Sequence, residues 1–254
     1  MTSDNQSKRI LITGASSGLG AEMARQLAAR GNDLALCARR TERLDSLREE
    51  ILAAHPDRRV EVRALDVNDH DQVFAVFRAF ASDFGTIDRI VINAGLGKGA
   101  PLGTGKFEAN RETAMTNFVA ALAQSEAAME IFRAQGSGHF VMISSMSAMR
   151  GMPKALTTYA ATKAGVAHLA EGLRMELHGK PIKVSVIYPG YIASEMNEGV
   201  AADQPLMVST EKGVRAIVAA IEKEKASACV PPVPWAPMSV VMKHAPLPVL
   251  TRLI

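Results

Sequence analysis

Arg9-Ile10-Leu11-Ile12-Thr13-Gly14-Ala15-Ser16-Ser17-Gly18-Leu19-Gly20 is the stretch on which the reading of this chain turns. An aliphatic run ends in glycines spaced G-x3-G-x-G, and a helical pattern begins at once. A strand that turns into a helix in this way offers backbone N–H groups and the positive end of a helix at one point. A dinucleotide's pyrophosphate needs that surface, and side chains at the turns would hold it away. Gly14, Ser16, Ser17, Gly18, Leu19 and Gly20 are therefore candidate phosphate-cradling residues.

Outward from this turn, short apolar runs recur at Asp33–Ala38, Val60–Leu65, Arg89–Asn93, His139–Ser144 and Lys183–Tyr188. Helix-patterned stretches separate them: Leu19–Arg30, Arg43–Ala54, Asp69–Phe84, Arg111–Ala134 and Thr158–His178. The alternation predicts an α/β fold, a doubly wound parallel sheet flanked by helices on both faces. The runs lack polar alternation, as expected of strands covered on both sides. With 254 residues and no internal repeat, one domain over 1–254 is expected.

Composition narrows the function. Net charge is +3 and no basic run exceeds two residues, which argues against nucleic acid as a partner. Cys37 and Cys229 give neither a disulfide framework nor a metal spacing, and the six histidines are scattered, so no metal is expected. The polar start lacks a signal-peptide pattern and no apolar run could span a bilayer, so a cytoplasmic protein is expected.

The other strand ends carry further candidates. The second ends at Ala38-Arg39-Arg40, where an NAD-preferring fold places an acid on the ribose 2′-hydroxyl. Two guanidinium groups would instead clamp a 2′-phosphate, with Arg39 the stronger contributor, so NADP(H) is favoured over NAD(H). A solvated charged turn would read the same. The third strand ends at Asp66-Val67, suited to the adenine amino group and ring. The fourth ends at Asn93-Ala94-Gly95, small enough for close approach to a cofactor.

The chemistry rests on Tyr159 and Lys163, four residues apart and so on one helix face. A phenol with a pKa of about 10 is a poor base at neutral pH. Lowering it by about three units takes ~4 kcal/mol. One cation ~4 Å away at an effective dielectric of ~20 could supply that. Fourteen residues before Tyr159, Ser145 ends the fifth strand, where a hydroxyl could bond a substrate oxygen. Asn117 lies in a helical stretch and could hold a proton-relaying water; a solvated Asn is the plain alternative.

In this order, from Lys8 to about Met196, these elements resemble the short-chain dehydrogenase/reductase family. The resemblance implies a Rossmann-type fold and a tetrad of Asn117, Ser145, Tyr159 and Lys163. Tyr159 would be the acid/base and Ser145 would position the substrate oxygen. Lys163 would bond the nicotinamide ribose, and Asn117 would hold the relay water. After Pro189-Gly190, Ile192 would contact the carboxamide and Ser194 would bond it. The chain departs from the common pattern at Ile92, at Ser194 and in a Ser-to-Tyr interval one residue longer, which keeps Ser144 as the weaker serine candidate.

About 191–210 would form a substrate lid containing Met196, Val200, Leu206 and Met207. About 229–254 is apolar and proline-rich, with Lys243, His244 and Arg252 but no acid. It reads as a tail packed on the core or a neighbouring subunit, as a substrate wall, or as a membrane-surface contact. An apolar carbonyl or alcohol is the expected substrate, and the family implies a homodimer or homotetramer. A catalytically silent NADP-binding sensor or scaffold on the same fold is the alternative function, and a longer-chain epimerase or dehydratase a third.

Overall fold

The computed structural model describes residues 7–97, 99–197 and 206–253. Seven strands form one parallel sheet: β1 (Arg9–Thr13), β2 (Asp33–Ala38), β3 (Val60–Ala64), β4 (Arg89–Ile92), β5 (Gly138–Ile143), β6 (Ile182–Pro189) and β7 (Ser227–Val230). Their spatial order is β3-β2-β1-β4-β5-β6-β7. The chain winds outward from β1 in one direction and from β4 in the other. The crevice between those halves, at the carboxyl ends of the strands, is where such sheets bind ligands.

Burial accounts for the unbroken apolar runs. Ile10 and Ile12 face one core with α1 (Gly18–Ala28), α2 (Thr41–Ala54) and α7 (Thr210–Glu222). Leu11, between them, faces the other core with α3 (His70–Phe84), α5 (Ala120–Gln135) and α6 (Leu156–Glu176). Each central strand is thus covered twice, so a polar residue on either face needs a partner inside the fold.

Three features differ from the sequence reading. β7 was not expected: it is a four-residue edge strand, Ser227-Ala228-Cys229-Val230, too short to show periodicity, and its backbone pairs with β6 alone. The helix α7 and the C-terminal helices α8 (Pro232–His244) and α9 (Leu247–Leu253) were also unassigned. The expected helix Arg111–Ala134 is interrupted: α4 (Phe107–Ala114) widens into a π-helical turn at Met115–Val119 before α5. The widened turn carries Asn117, and such turns concentrate at functional positions.

Candidate active site

Thr13 holds the ends of β1 and β4 together. Its buried Oγ1 accepts bonds from the backbone N–H groups of Asn93 and Ala94, each at 3.1 Å. Asn93 returns its side-chain amide to Thr13 O at 3.0 Å and Gly14 O at 3.3 Å. The two turns approach so closely that a Cβ on Gly14, whose φ is +65°, would lie 2.8 Å from Ala94 Cα. A Cβ on Gly20 would lie 2.3 Å from Gly14 O. These residues therefore have a structural task, which does not depend on any ligand.

Ser17 precedes α1 with extended backbone, and no side chain caps that helix start. Uncapped N–H groups at a helix start suit an anion, which is the fit expected of a dinucleotide pyrophosphate. The Ser17 hydroxyl accepts instead from Arg40 Nη2 at 2.6 Å, and Ser16 Oγ accepts from Arg40 Nε at 3.3 Å. Arg40 Nη1 donates to Glu195 Oε2 at 3.1 Å, and Arg43 Nη1 to Glu195 Oε1 at 2.5 Å. Bonding to Arg43 first, and then to Arg40, lowers the Glu195 pKa below the ordinary carboxylate value. Arg40, not Arg39, thus reaches the glycine turn. Arg39 is exposed and makes no hydrogen bond or ion pair among the described residues.

At the end of β3, Asp66 Oδ1 accepts from Asn68 N and Nδ2, and Val67 is buried in the core. Gly95 lies at the centre of the crevice: a Cβ there would sit 3.2 Å from Asn117 Oδ1 and 3.5 Å from Lys163 Nζ. Asn117 is buried and clamps Leu96, accepting from its N–H at 2.7 Å and donating to its carbonyl at 2.8 Å. The π turn is what brings the Asn117 amide to that loop.

Lys163 is buried at 6% exposure, and its Nζ donates to Ile143 O at 3.1 Å. An ammonium has three donors, so capacity remains for ligand hydroxyls such as those of a ribose. Burial pushes its pKa down to about 8. The Lys163 Nζ lies 5.9 Å from the centre of the Tyr159 ring. The Tyr159 phenol and the Ser145 side chain face each other closely enough for Ser145 to influence its titration. Burial raises the phenol above its ordinary value, and Ser145 opposes that rise. A phenol lowered by Lys163 was the expectation from sequence; here desolvation raises it, and the influence that opposes the rise comes from Ser145.

The two serines separate cleanly. Ser144 is buried and donates to Lys163 O at 2.7 Å, locking the α6 backbone to the end of β5. Ser145 is partly buried, accepts from Ser147 N at 3.1 Å, and starts the 3₁₀ turn Met146–Met149. That turn takes up part of the long Ser-to-Tyr interval.

Beyond β6, Gly190 lies under Trp235 of α8: a Cβ at 190 would come within 2.0 Å of the indole. Trp235 is buried and meets Tyr191 edge-on at 5.4 Å between ring centres. Ile192 is buried against Gly213 of α7, and its chain pairs with Val208. Ser194 comes close to Gly18, whose added Cβ would sit 3.5 Å from Ser194 Cβ. Met196 covers Gly97. Val200 of the expected lid lies outside the described residues.

Arg43, Glu195 and Trp235 were not singled out for this crevice from the sequence. Arg43 follows Arg40 by three residues, a spacing that was visible; Glu195 and Trp235 arrive from far along the chain. A cavity of about 520 Å³ lies at the opposite end of the sheet, lined by Lys8, Arg89, His139 and Lys183 among others, away from all these groups. There His139 is buried between Arg89 Nε at 2.9 Å and Ser185 Oγ at 2.7 Å.

The family model described as short chain dehydrogenase matches residues 8–205. An uncharacterized oxidoreductase of Mycobacterium tuberculosis strain H37Rv is 53% identical over 245 residues, with 96% of each chain covered. One from Myxococcus xanthus is 34% identical, covering 80% of this chain and 79% of its own. Among solved structures, a levodione reductase has a TM-score of 0.79 at 28% identity, covering 87% of this chain and 94% of its own. A short chain dehydrogenase from Burkholderia cenocepacia in complex with NADP has a TM-score of 0.78 at 28% identity, covering 89% and 96%.

Proposed function

The chain belongs to the short-chain dehydrogenase family and is an oxidoreductase, and on that premise we propose that it interconverts a carbonyl and an alcohol with NADP(H). The observation that carries the reading is the grouping of Ser145, Tyr159 and Lys163 at the carboxyl end of β5, with Gly95 leaving space beside Lys163. Bound across the glycine turn, the nicotinamide coenzyme would supply or accept the hydride. Gly14, Ser16, Ser17, Gly18, Leu19 and Gly20 would hold its phosphates, with Asp66 and Val67 at the adenine and Ile192 and Ser194 towards the carboxamide.

In reduction, the Tyr159 phenol gives its proton to the carbonyl oxygen while Ser145 bonds that oxygen. The raised phenol pKa keeps that proton in place at neutral pH, the state reduction requires. Lys163, charged below about pH 8, then stabilises the phenolate. Asn117, fixed on Leu96, would orient the water that returns the proton.

Preference for NADP(H) follows from Arg40 at the turn, supported by Arg39 and Arg43. An apolar substrate follows from the buried Met146, Met152 and Trp235 beside the 3₁₀ turn and α8. A homo-oligomer fits the exposed Met115, Phe118, Leu122 and Leu156 around α4 to α6. Titration of a panel of apolar ketones and small charged oxo acids with NADPH and NADH tests the reading. Turnover of apolar ketones with NADPH is expected; turnover confined to oxo acids, or to NADH, would contradict it.

A further inference from the structure

Arg40 has every guanidinium nitrogen engaged: Nε on Ser16, Nη2 on Ser17 and Nη1 on Glu195. Arg43 holds the other oxygen of the same carboxylate. Glu195 therefore sits as an internal anion on two cations at the end of β2, 152 residues away in sequence from Arg43. The pairs are half-exposed, with side chains 44% to 49% accessible, so they can exchange partners.

We propose that Glu195 is a specificity-determining residue, a built-in competitor that a ribose 2′-phosphate must displace from Arg40 and Arg43. This rests on the reading that the arginines after β2 receive that phosphate. The chemistry is a direct exchange. A phosphate monoester and a carboxylate both accept charge-assisted bonds from guanidinium groups. A nucleotide with a 2′-phosphate needs donors that Glu195 already occupies, whereas an uncharged 2′-hydroxyl does not contest them. Glu195 thus narrows the preference for NADP(H) over NAD(H) that two free arginines would give. It also joins the two ends of the crevice, because it directly follows Ser194 at the glycine turn and precedes Met196 over Gly97.

The test is calorimetric titration of the folded wild type and Glu195→Gln with adenosine 2′,5′-bisphosphate and with adenosine 5′-monophosphate, then with NADPH and NADH. Glutamine keeps the shape and removes the charge; Glu195→Ala is the second variant. Exposed ion pairs are weak, so the expected gain in preference for the 2′-phosphorylated ligand is roughly two- to tenfold. An unchanged or reduced preference overturns the proposal. Arg40→Ala and Arg43→Ala separate it from the reading beneath it. If Arg40→Ala weakens the bisphosphate selectively while Glu195→Gln alters nothing, only the competitor falls. If both arginine variants weaken the two nucleotides equally, the assignment of the 2′-phosphate falls and the competitor with it.

Discussion

Lys163→Met should make the protein more stable at neutral pH while removing its activity. The Lys163 ammonium is buried, and its pKa falls from 10.5 to about 8 by desolvation. At 1.36 kcal/mol per unit, the charged form is disfavoured in the folded state by about 3 kcal/mol. Because the folded pKa lies below the unfolded one, the unfolded chain holds this proton more tightly between about pH 8 and 10.5. The penalty is therefore fully present below about pH 8 and fades as pH rises towards 10.5. Linkage puts it at about 3 kcal/mol at pH 7 and about 1 kcal/mol at pH 10. Methionine keeps most of the length and carries no charge, but leaves Ile143 O without its donor, at about 1–3 kcal/mol. That loss does not vary with pH, so the decisive quantity is the change. The stability advantage of the variant should shrink by about 2 kcal/mol from pH 7 to pH 10. Urea unfolding of both proteins at one concentration, with turnover measured in parallel, gives both numbers. A difference that stays flat with pH would mean that Lys163 is not a desolvated cation, and the predicted gain would lose its cause.

Tyr159→Phe should lower turnover by about 10²- to 10⁴-fold with NADPH affinity retained by fluorescence titration, since it removes only the proton carrier. Gly20→Ala should weaken coenzyme binding and lower the melting temperature together, because its Cβ would meet Gly14 O at 2.3 Å; normal values of both would discount the close packing. The His139 pKa is pushed from 6.5 to about 3, by burial first and then by Arg89 and Lys8, so its contribution is complete above about pH 6.5 and is lost as pH falls towards 3. Acid unfolding should therefore remove up to about 4–5 kcal/mol through this residue, and His139→Gln should flatten that part of the curve.

Much of the fold was legible because its signals are local. β1 and β2 occupy the expected Arg9–Thr13 and Asp33–Ala38, since an unbroken apolar run only five or six residues long is too short for a buried helix and suits a strand covered on both faces. β7 was hidden for the converse reason: four edge residues carry no period. The π turn was invisible because the tertiary bonds of Asn117 to Leu96 accompany it, and Met115-Thr116-Asn117 shows no break in helical pattern. At the site, Tyr159 and Lys163 could be paired from their spacing on one helix. The relative standing of Arg39 and Arg40 could not, since it depends on which side chain the end of β2 turns towards Ser16 and Ser17. The direction of the Tyr159 shift was equally inaccessible: sequence gives the neighbouring charge but not the depth of burial.

The proposed function requires hydride to pass between a nicotinamide and a carbonyl carbon while Tyr159 handles the proton. Incubating the enzyme with NADPH deuterated at the nicotinamide C4 and a panel of ketones, with mass analysis of the products, follows that hydride itself. Deuterium on the carbinol carbon of at least one product, absent with Tyr159→Phe, is the expected result. Tight NADPH binding with no label transferred to any carbonyl would contradict it, and would leave the chain a coenzyme-binding protein without this chemistry.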